Sequence, residues 1–328
     1  MHMVHARVSL FGAAGYTGLE LCKLLPLHAN IELVAAASDT HAGTTLAALA
    51  GAHSPLSFVT AQQALETPAD VALLAVPHDA APGLASQLRA RGTKVIDLSN
   101  AHRAVPEATY GLTSLFAADI ALSPLIANPG CYATCIITAV APLVRHGLIE
   151  RDVIVAAGSG VTGAGKSKDE AMSMGELHGN VRAYKVLRHQ HVPEIEMALA
   201  RVATGVGAAS PRVILTTHLL PIARGIFATI TVRLTKAATS MELTARMRAD
   251  YRDDATVRVF DTPEDVTLRK VVGTNETHVG VAASEDIAVV TASIDNLLKG
   301  AAGQAIENLN VMLGLPRMTG LMHLARHG

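Results

Sequence analysis

Three absences narrow this chain before any motif is read. It has no excess of positive charge, because 27 Lys and Arg stand against 28 Asp and Glu for a formal net charge of −1. A nucleic-acid or anionic-membrane surface needs a basic excess, so neither is expected as a partner. It has only three cysteines, Cys22, Cys131 and Cys135. They form neither a disulfide framework nor a zinc-ligand spacing, which points to a reducing compartment and no metal. It also lacks an unbroken apolar run. The longest uncharged stretch, Ile120 to Val144, has the length of a membrane span, but Pro124, Asn128, Pro129, Gly130 and Pro142 interrupt it. The opening Met1-His2-Met3-Val4-His5 is too polar and too short for a signal peptide. A soluble, cytoplasmic protein is expected. No repeats or charge runs are present, and 328 residues are too many for one ordinary core, so two domains are expected.

What is present is alternation. Ala6–Phe11, Ile31–Ala37, Val71–Val76 and Lys94–Leu98 read as strands, with helical stretches at Leu19–Leu25, Thr45–Ala50 and Ala81–Arg91 between them. Such a βαβ series predicts a parallel sheet with helices on both faces, an α/β doubly wound fold of Rossmann type. From Asp152 the character changes. Asp152–Ala157, Val213–His218, Phe227–Leu234, Val257–Phe260 and Ala288–Ser293 read as strands of a mixed sheet, with helices at Pro193–Val202 and Met241–Tyr251. A final helix, Gly303 to Gly314, is placed to return to the first domain. The expected organisation is residues 1–130 with 302–328 as a dinucleotide-binding domain, and 131–301 as an α+β substrate and dimerisation domain.

The first strand runs into Gly12-Ala13-Ala14-Gly15-Tyr16-Thr17-Gly18 and then a helix. Backbone N–H groups at such a helix start can cradle a phosphate, although a tight turn in a generic α/β domain explains the same glycines. An acidic residue about 20 positions beyond such a loop takes the ribose hydroxyls in dinucleotide folds. Asp39 stands near that place and would favour NADH. Ser38, Thr40, His41 and the backbone around Gly43 would instead accommodate the extra phosphate of NADP if Asp39 turns away.

Cys131 lies in Asn128-Pro129-Gly130-Cys131-Tyr132-Ala133-Thr134, where a turn hands over to a segment with an apolar face, Ile136, Ile137, Val140, Leu143 and Val144. At a helix N-terminus, unpaired N–H groups and the dipole favour thiolate over thiol. Cys131 is therefore the candidate nucleophile, against the bland reading of a buried small hydrophobe. Cys135, one turn later, is read as core.

Gly160 to Ser167 fits the P-loop template G-x-x-x-x-G-K-[ST] after a strand, which raises a nucleotide triphosphatase. The short helical stretch that follows, and the want of a magnesium-binding aspartate after a later strand, favour a glycine-rich pocket loop with Lys166 facing an anion. His189 and His191, two apart in an extended segment, would share one side, so metal ligation is conceivable. No third ligand stands nearby. General acid/base work suits an imidazole whose ordinary pKa is about 6.5.

Taken together, Gly12-x-x-Gly15-Tyr16-Thr17-Gly18, Asp97-Leu98-Ser99 before Arg103, Asn128-Pro129-Gly130-Cys131-Tyr132, Ser159-Gly160-x-x-Gly163-Ala164-Gly165 and His189-x-His191-x-Pro193-Glu194-Ile195 resemble the N-acetyl-γ-glutamyl-phosphate reductases. Leu220-Pro221-x-x-Arg224-Gly225-Ile226 and Ile294-Asp295-Asn296-Leu297-x-Lys299-Gly300 agree, so the likeness runs nearly the full length. The resemblance implies a homo-oligomeric, dimeric or tetrameric enzyme of arginine biosynthesis that reduces an acyl phosphate to an aldehyde with NADP(H). It implies catalysis by Cys131 with His189 or His191. Cofactor contacts would come from Gly12, Ala14, Gly15, Tyr16, Thr17, Gly18, Ser38, Gly160, Gly163 and Asn296. Substrate contacts would come from Arg103, Ser99, Asn128, Lys166 and Tyr184. Two departures from the family pattern, Gln190 between the histidines and Asn100-Ala101-His102 before Arg103, keep an aminoadipyl-phosphate reductase open as an alternative. A P-loop phosphotransferase, or a dinucleotide-binding regulator without chemistry, stands behind it.

Overall fold

The computed structural model describes residues 6–165, 174–204 and 210–325. Lys166 and Ser167 lie outside the described residues, as does the opening Met1-His2-Met3-Val4-His5. The chain divides into two compact units, Met1–Pro129 with Ala301–His323, and Gly130–Gly300 with Leu324–Gly328.

The first unit alternates β1 (Ala6–Phe11), α1 (Tyr16–Leu24), β2 (Ile31–Ala37), α2 (Leu46–Ala50), α3 (Ala61–Glu66), β3 (Val71–Leu74), α4 (Ala81–Ala90), β4 (Lys94–Asp97), β5 (Thr109–Tyr110), α5 (Thr113–Leu122) and β6 (Leu125–Ala127). Its six strands are parallel in the order β2-β1-β3-β4-β6-β5. Strand order reverses beside β1, and the glycine loop leaves the C-terminal end of that strand. Ligands bind open α/β sheets at such a switch point. β3 is buried throughout, which is why its sequence is a continuous apolar run without alternation.

A helix at Gly303–Met312 completes this unit beside α5. Its buried polar face is tied to the rest of the unit: Glu307 accepts from Thr113 Oγ1 at 2.5 Å, Gln304 donates to the Gly111 carbonyl at 3.0 Å, and Asn310 Oδ1 lies 2.9 Å from His28 Nε2. Such bonds offset the cost of taking polar groups out of water.

The second unit opens with α6 (Cys131–Arg145), followed by β7 (Ile149–Ser159), α7 (Met174–Leu177), β8 (Arg182–Tyr184), α8 (Val192–Ala203), β9 (Arg212–Leu219), β10 (Ile226–Leu234), α9 (Ser240–Asp250), β11 (Val257–Val259), α10 (Leu268–Val271), β12 (Thr277–Ser284) and β13 (Ile287–Ile294). The seven strands form a mixed sheet in the order β11-β12-β13-β10-β7-β9-β8, with β7 parallel to β9 and β11 parallel to β12. α6 packs against this sheet and against α8, and every residue from Tyr132 to Val144 is buried.

One expectation fails within α6. Pro142 does not interrupt it, and the helix continues to Arg145. A proline removes the N–H that would bond the carbonyl four residues earlier. Here the buried Tyr251 hydroxyl donates to that carbonyl, Thr138 O, at 2.6 Å. Among the described residues no helix is long and apolar enough to cross a membrane.

Candidate active site

The glycine loop of the first unit is built by two different demands. Gly12 has φ +75, and a Cβ there would stand 2.3 Å from the Ala75 carbonyl oxygen. A Cβ on Gly18 would stand 2.4 Å from Gly12 O. Both glycines are required by the chain's own packing. Gly15 is not: its Cβ would meet nothing nearer than Gly12 O at 3.6 Å. Gly15 is the N-cap of α1 and supplies no side-chain cap, and a helix start of this kind is where backbone N–H groups can meet a phosphate. Ala14 and Thr17 are half-buried in this loop and Tyr16 is exposed.

Beyond β2, Ser38 is extended and its hydroxyl lies 3.4 Å from Thr40 Oγ1. Asp39 turns toward α3, where its Oδ1 accepts from Ala61 N at 2.8 Å. The carboxylate is thereby held at a helix start, with that helix's positive end beside it.

Ser99, Arg103 and Asn128 meet around the end of β4, but as structure. Asp97, fully buried, accepts from Ser99 N and Ser99 Oγ, each at 2.8 Å, and lies 2.6 Å from His102 Nδ1. Ser99 Oγ also accepts from Ala101 N, so its hydroxyl shapes a turn. Arg103 donates to the carbonyls of Asn128 at 2.9 Å and Leu98 at 2.8 Å. Asn128 is buried, its amide donating to Ala301 O and accepting from Asn308 Nδ2. Ser99 and Asn128, expected to contact substrate, here make these internal bonds. Arg103 is a brace on the segment that precedes Gly130.

In the second unit Cys131 is the first residue of α6, half-buried, after the extended N-cap Gly130. Cys135 is fully buried, and burial raises its pKa, as it raises that of Cys22 to about 12. Both are core thiols. Gly300 packs on the nucleophile so closely that a Cβ there would stand 2.7 Å from Cys131 Cβ. That glycine lies in a π-helical turn, Leu298–Ala302, whose preceding loop is held by the buried Asp295, which accepts from Leu297 N at 2.9 Å and Leu298 N at 3.0 Å. π-turns of this kind recur at functional sites.

His189 and His191 come together, though not as expected. They occupy a turn rather than an extended strand, and their ring centroids are 4.7 Å apart. Tyr132 lies edge-on to His189 at 5.3 Å, Tyr184 at 5.9 Å, and Tyr184 donates to the Tyr132 hydroxyl at 3.1 Å. Burial, with a smaller contribution from the charge of Lys185, lowers the His189 pKa to about 4. Its Nδ1 accepts from His191 N at 3.2 Å, which places the proton of the neutral ring on Nε2. Burial also pushes the Tyr184 phenol up to about 12. Among the described residues no group of histidine, cysteine and acidic side chains forms a metal site.

Glu194 was not among the candidates and is the residue that joins them. Buried in the first turn of α8, it accepts from Gly130 N at 3.1 Å with one oxygen and places the other 3.8 Å from His191 Nε2. Sequence offers only an acidic residue early in a helix, which is common.

The loop carrying Gly160 and Gly163 is not a P-loop. Gly160, Val161 and Thr162 direct their N–H groups to the carbonyls of Gly225, Ile222 and Ala223, whereas a P-loop turns such groups toward phosphate. A Cβ on Gly160 would stand 2.7 Å from Ala223 backbone, and one on Gly163 2.6 Å from Ser159 Oγ. Asn296 is buried, donating to Thr162 Oγ1 at 3.0 Å and accepting from Gly225 N at 2.7 Å. These three candidate cofactor residues are engaged in packing two loops together.

Two family profiles match the chain: a semialdehyde dehydrogenase NAD-binding domain over residues 7–123 and a semialdehyde dehydrogenase dimerisation domain over residues 131–296. An N-acetyl-gamma-glutamyl-phosphate reductase of Bacillus anthracis is 35% identical, the alignment covering 97% of this chain and 99% of that one. A probable chloroplastic N-acetyl-gamma-glutamyl-phosphate reductase of Arabidopsis thaliana is 34% identical over 97% of this chain and 84% of its own length. In fold the chain is similar to an aspartate semialdehyde dehydrogenase of Candida albicans solved with NADP, with a TM-score of 0.73 at 17% identity over 94% of this chain and 99% of that one.

Proposed function

Since the chain belongs to the semialdehyde dehydrogenase family, and within it to the N-acetyl-γ-glutamyl-phosphate reductases, we propose that it reduces N-acetyl-γ-glutamyl phosphate to N-acetylglutamate 5-semialdehyde and phosphate. The observation that carries this reading is Cys131 at the first position of a buried helix, with Glu194 linking that helix start to His191. Neither the P-loop phosphotransferase nor a regulator without chemistry accounts for that arrangement.

The thiolate of Cys131 attacks the acyl carbonyl and expels phosphate, leaving a thioester on sulfur. NADPH, when bound, supplies hydride to that carbonyl. The resulting thiohemiacetal collapses to aldehyde and returns the thiolate. Gly130 N–H is taken by Glu194, so the oxyanions fall to N–H groups in the first turn of α6. His191 is the acid/base, its Nε2 3.8 Å from the Glu194 carboxylate that ties it to the start of α6. His189, held neutral by burial and bonded to His191 N, positions that ring.

The residues of the first unit fit a dinucleotide. Gly15 keeps open the space that a side chain would fill, and α1 begins there without a side-chain cap. Asp39 turned onto α3 supports NADPH over NADH, since it leaves Ser38 and Thr40 to meet a 2′-phosphate. Gly15→Val is expected to raise the Kd for NADPH by about 100-fold, measured by fluorescence titration. Unchanged affinity would place the cofactor elsewhere. The match to a dimerisation domain supports a homo-oligomer, for which the open sheet face with Ile154 and Ile287, 49% and 42% exposed, offers apolar surface.

His189 also predicts a pH dependence of stability. Its pKa falls from 6.5 in the unfolded chain to about 4 in the folded one. The unfolded state therefore binds the proton first, and this contribution, complete above pH 6.5, is lost as pH falls toward 4. Melting temperatures of the wild type and His189→Asn, compared across that window, should converge as pH falls. Parallel curves would contradict it.

The activity is tested by NADP+ reduction with N-acetylglutamate 5-semialdehyde and phosphate, run beside the aminoadipate analogue. Turnover with the first and little with the second is expected. The reverse preference would assign the chain to aminoadipyl phosphate.

A further inference from the structure

The turn between β8 and His189 is held in a conformation that its residues do not favour. Lys185 has φ +46 and Leu187 φ +56, values that side chains other than glycine adopt only where the surroundings impose them. Arg188 N donates to Lys185 O at 3.1 Å, and Thr217 Oγ1 donates to Tyr184 O at 2.5 Å. The outcome of this geometry is one contact. Lys185 Nζ donates to Gln190 Oε1 at 2.6 Å, directly beside the histidine pair.

Gln190 is neutral, and among the described residues Lys185 pairs with no carboxylate. Its positive charge reaches the site, because it contributes to the lowered pKa of His189. An exposed lysine usually swings freely and is screened. This one is fixed at the rim by a strained backbone and a short bond to an amide.

Resting on the reductase reading, we propose that Lys185, anchored by Gln190, binds the α-carboxylate of the acyl substrate. An anion placed deeper in this unit's site would meet the Glu194 carboxylate and the Cys131 sulfur. A single ammonium head with one donor already engaged matches a monoanionic carboxylate. A phosphoryl group is better met by several donors or a guanidinium fork. The carboxylate stays with the acyl group through the thioester and thiohemiacetal, so Lys185 serves acyl phosphate and aldehyde alike.

The reverse reaction separates the two anions, because semialdehyde and phosphate are then distinct substrates. Lys185→Met is expected to raise KM for the semialdehyde by about tenfold or more, with KM for phosphate and kcat little changed. Lys185→Arg should restore most of the affinity, and Gln190→Ala should give a smaller loss. In the Lys185→Met protein the His189 ring should titrate at higher pH, read by NMR, because a neighbouring cation is gone. An unchanged KM for semialdehyde, or a rise confined to phosphate, overturns the proposal while leaving the reductase intact. A wild-type chain inactive with both substrates removes the reading and the proposal together.

Discussion

Replacing Cys131 by serine is expected to lower turnover by roughly 10⁴-fold or more while leaving NADPH affinity unchanged. The two side chains are nearly the same size, so the half-buried position at the start of α6 accepts the change without repacking. What is lost is chemistry. A hydroxyl has far too high a pKa to be an anion at neutral pH, and the dipole of one helix start does not bridge that gap. The second thiol on the helix cannot substitute, because Cys135 is fully buried and burial raises its pKa. Steady-state rates beside a fluorescence titration with NADPH check both halves. A serine variant with more than a few per cent of activity would move the nucleophile away from residue 131.

The second large effect is at Gly300, a residue without any functional group. An added methyl would stand 2.7 Å from Cys131 Cβ and 3.2 Å from its Cα. Carbon atoms in contact need about 3.5–4.0 Å, so the π-turn or the nucleophile must shift by around 1 Å. A displacement of that size at the reacting atom costs about 100-fold in rate. Gly300→Ala should therefore lower kcat by about two orders of magnitude, with a stability loss of only about 1–3 kcal/mol. Wild-type kcat in that variant would show that the turn yields and that Cys131 does not depend on it.

The organisation of the chain was legible wherever local pattern and tertiary role coincide. β1 and β2 match their expected bounds to the residue, because each is an apolar run ended by a glycine loop or a turn. Other elements had no such mark. β12 is buried along most of its length and carries Gly280, where a Cβ would stand 2.6 Å from Thr262 O, so alternation is missing and the glycine imitates a break. β6 has three residues, too few for any period. α3 did carry a signal, the capping box of Thr60 and Gln63, which its short length hid.

The candidate site divides along the same line. His189 and His191 stand in a local motif and are found together with Tyr184 and with Tyr132, the residue after Cys131. Asn128 and Asn296 stand in equally local motifs, yet their amides bond inward. A sequence motif marks a residue the fold cannot lose, and an internal hydrogen bond is as good a reason as a ligand. Glu194, Gly300 and Lys185 act across 64, 169 and 5 positions of chain respectively, to Gly130, Cys131 and Gln190. Contacts of the longer kind leave no periodic trace.

In the proposed reaction Cys131 carries the acyl group as a thioester. This is tested by mixing the protein with N-acetylglutamate 5-semialdehyde and NADP+ in the absence of phosphate and following NADPH in the first turnover. A Cys131 thioester gives a burst of about one NADPH per chain followed by near arrest, with the mass of one N-acetylglutamyl group on the peptide containing Cys131. No burst, or an acyl group found on another residue, would contradict it.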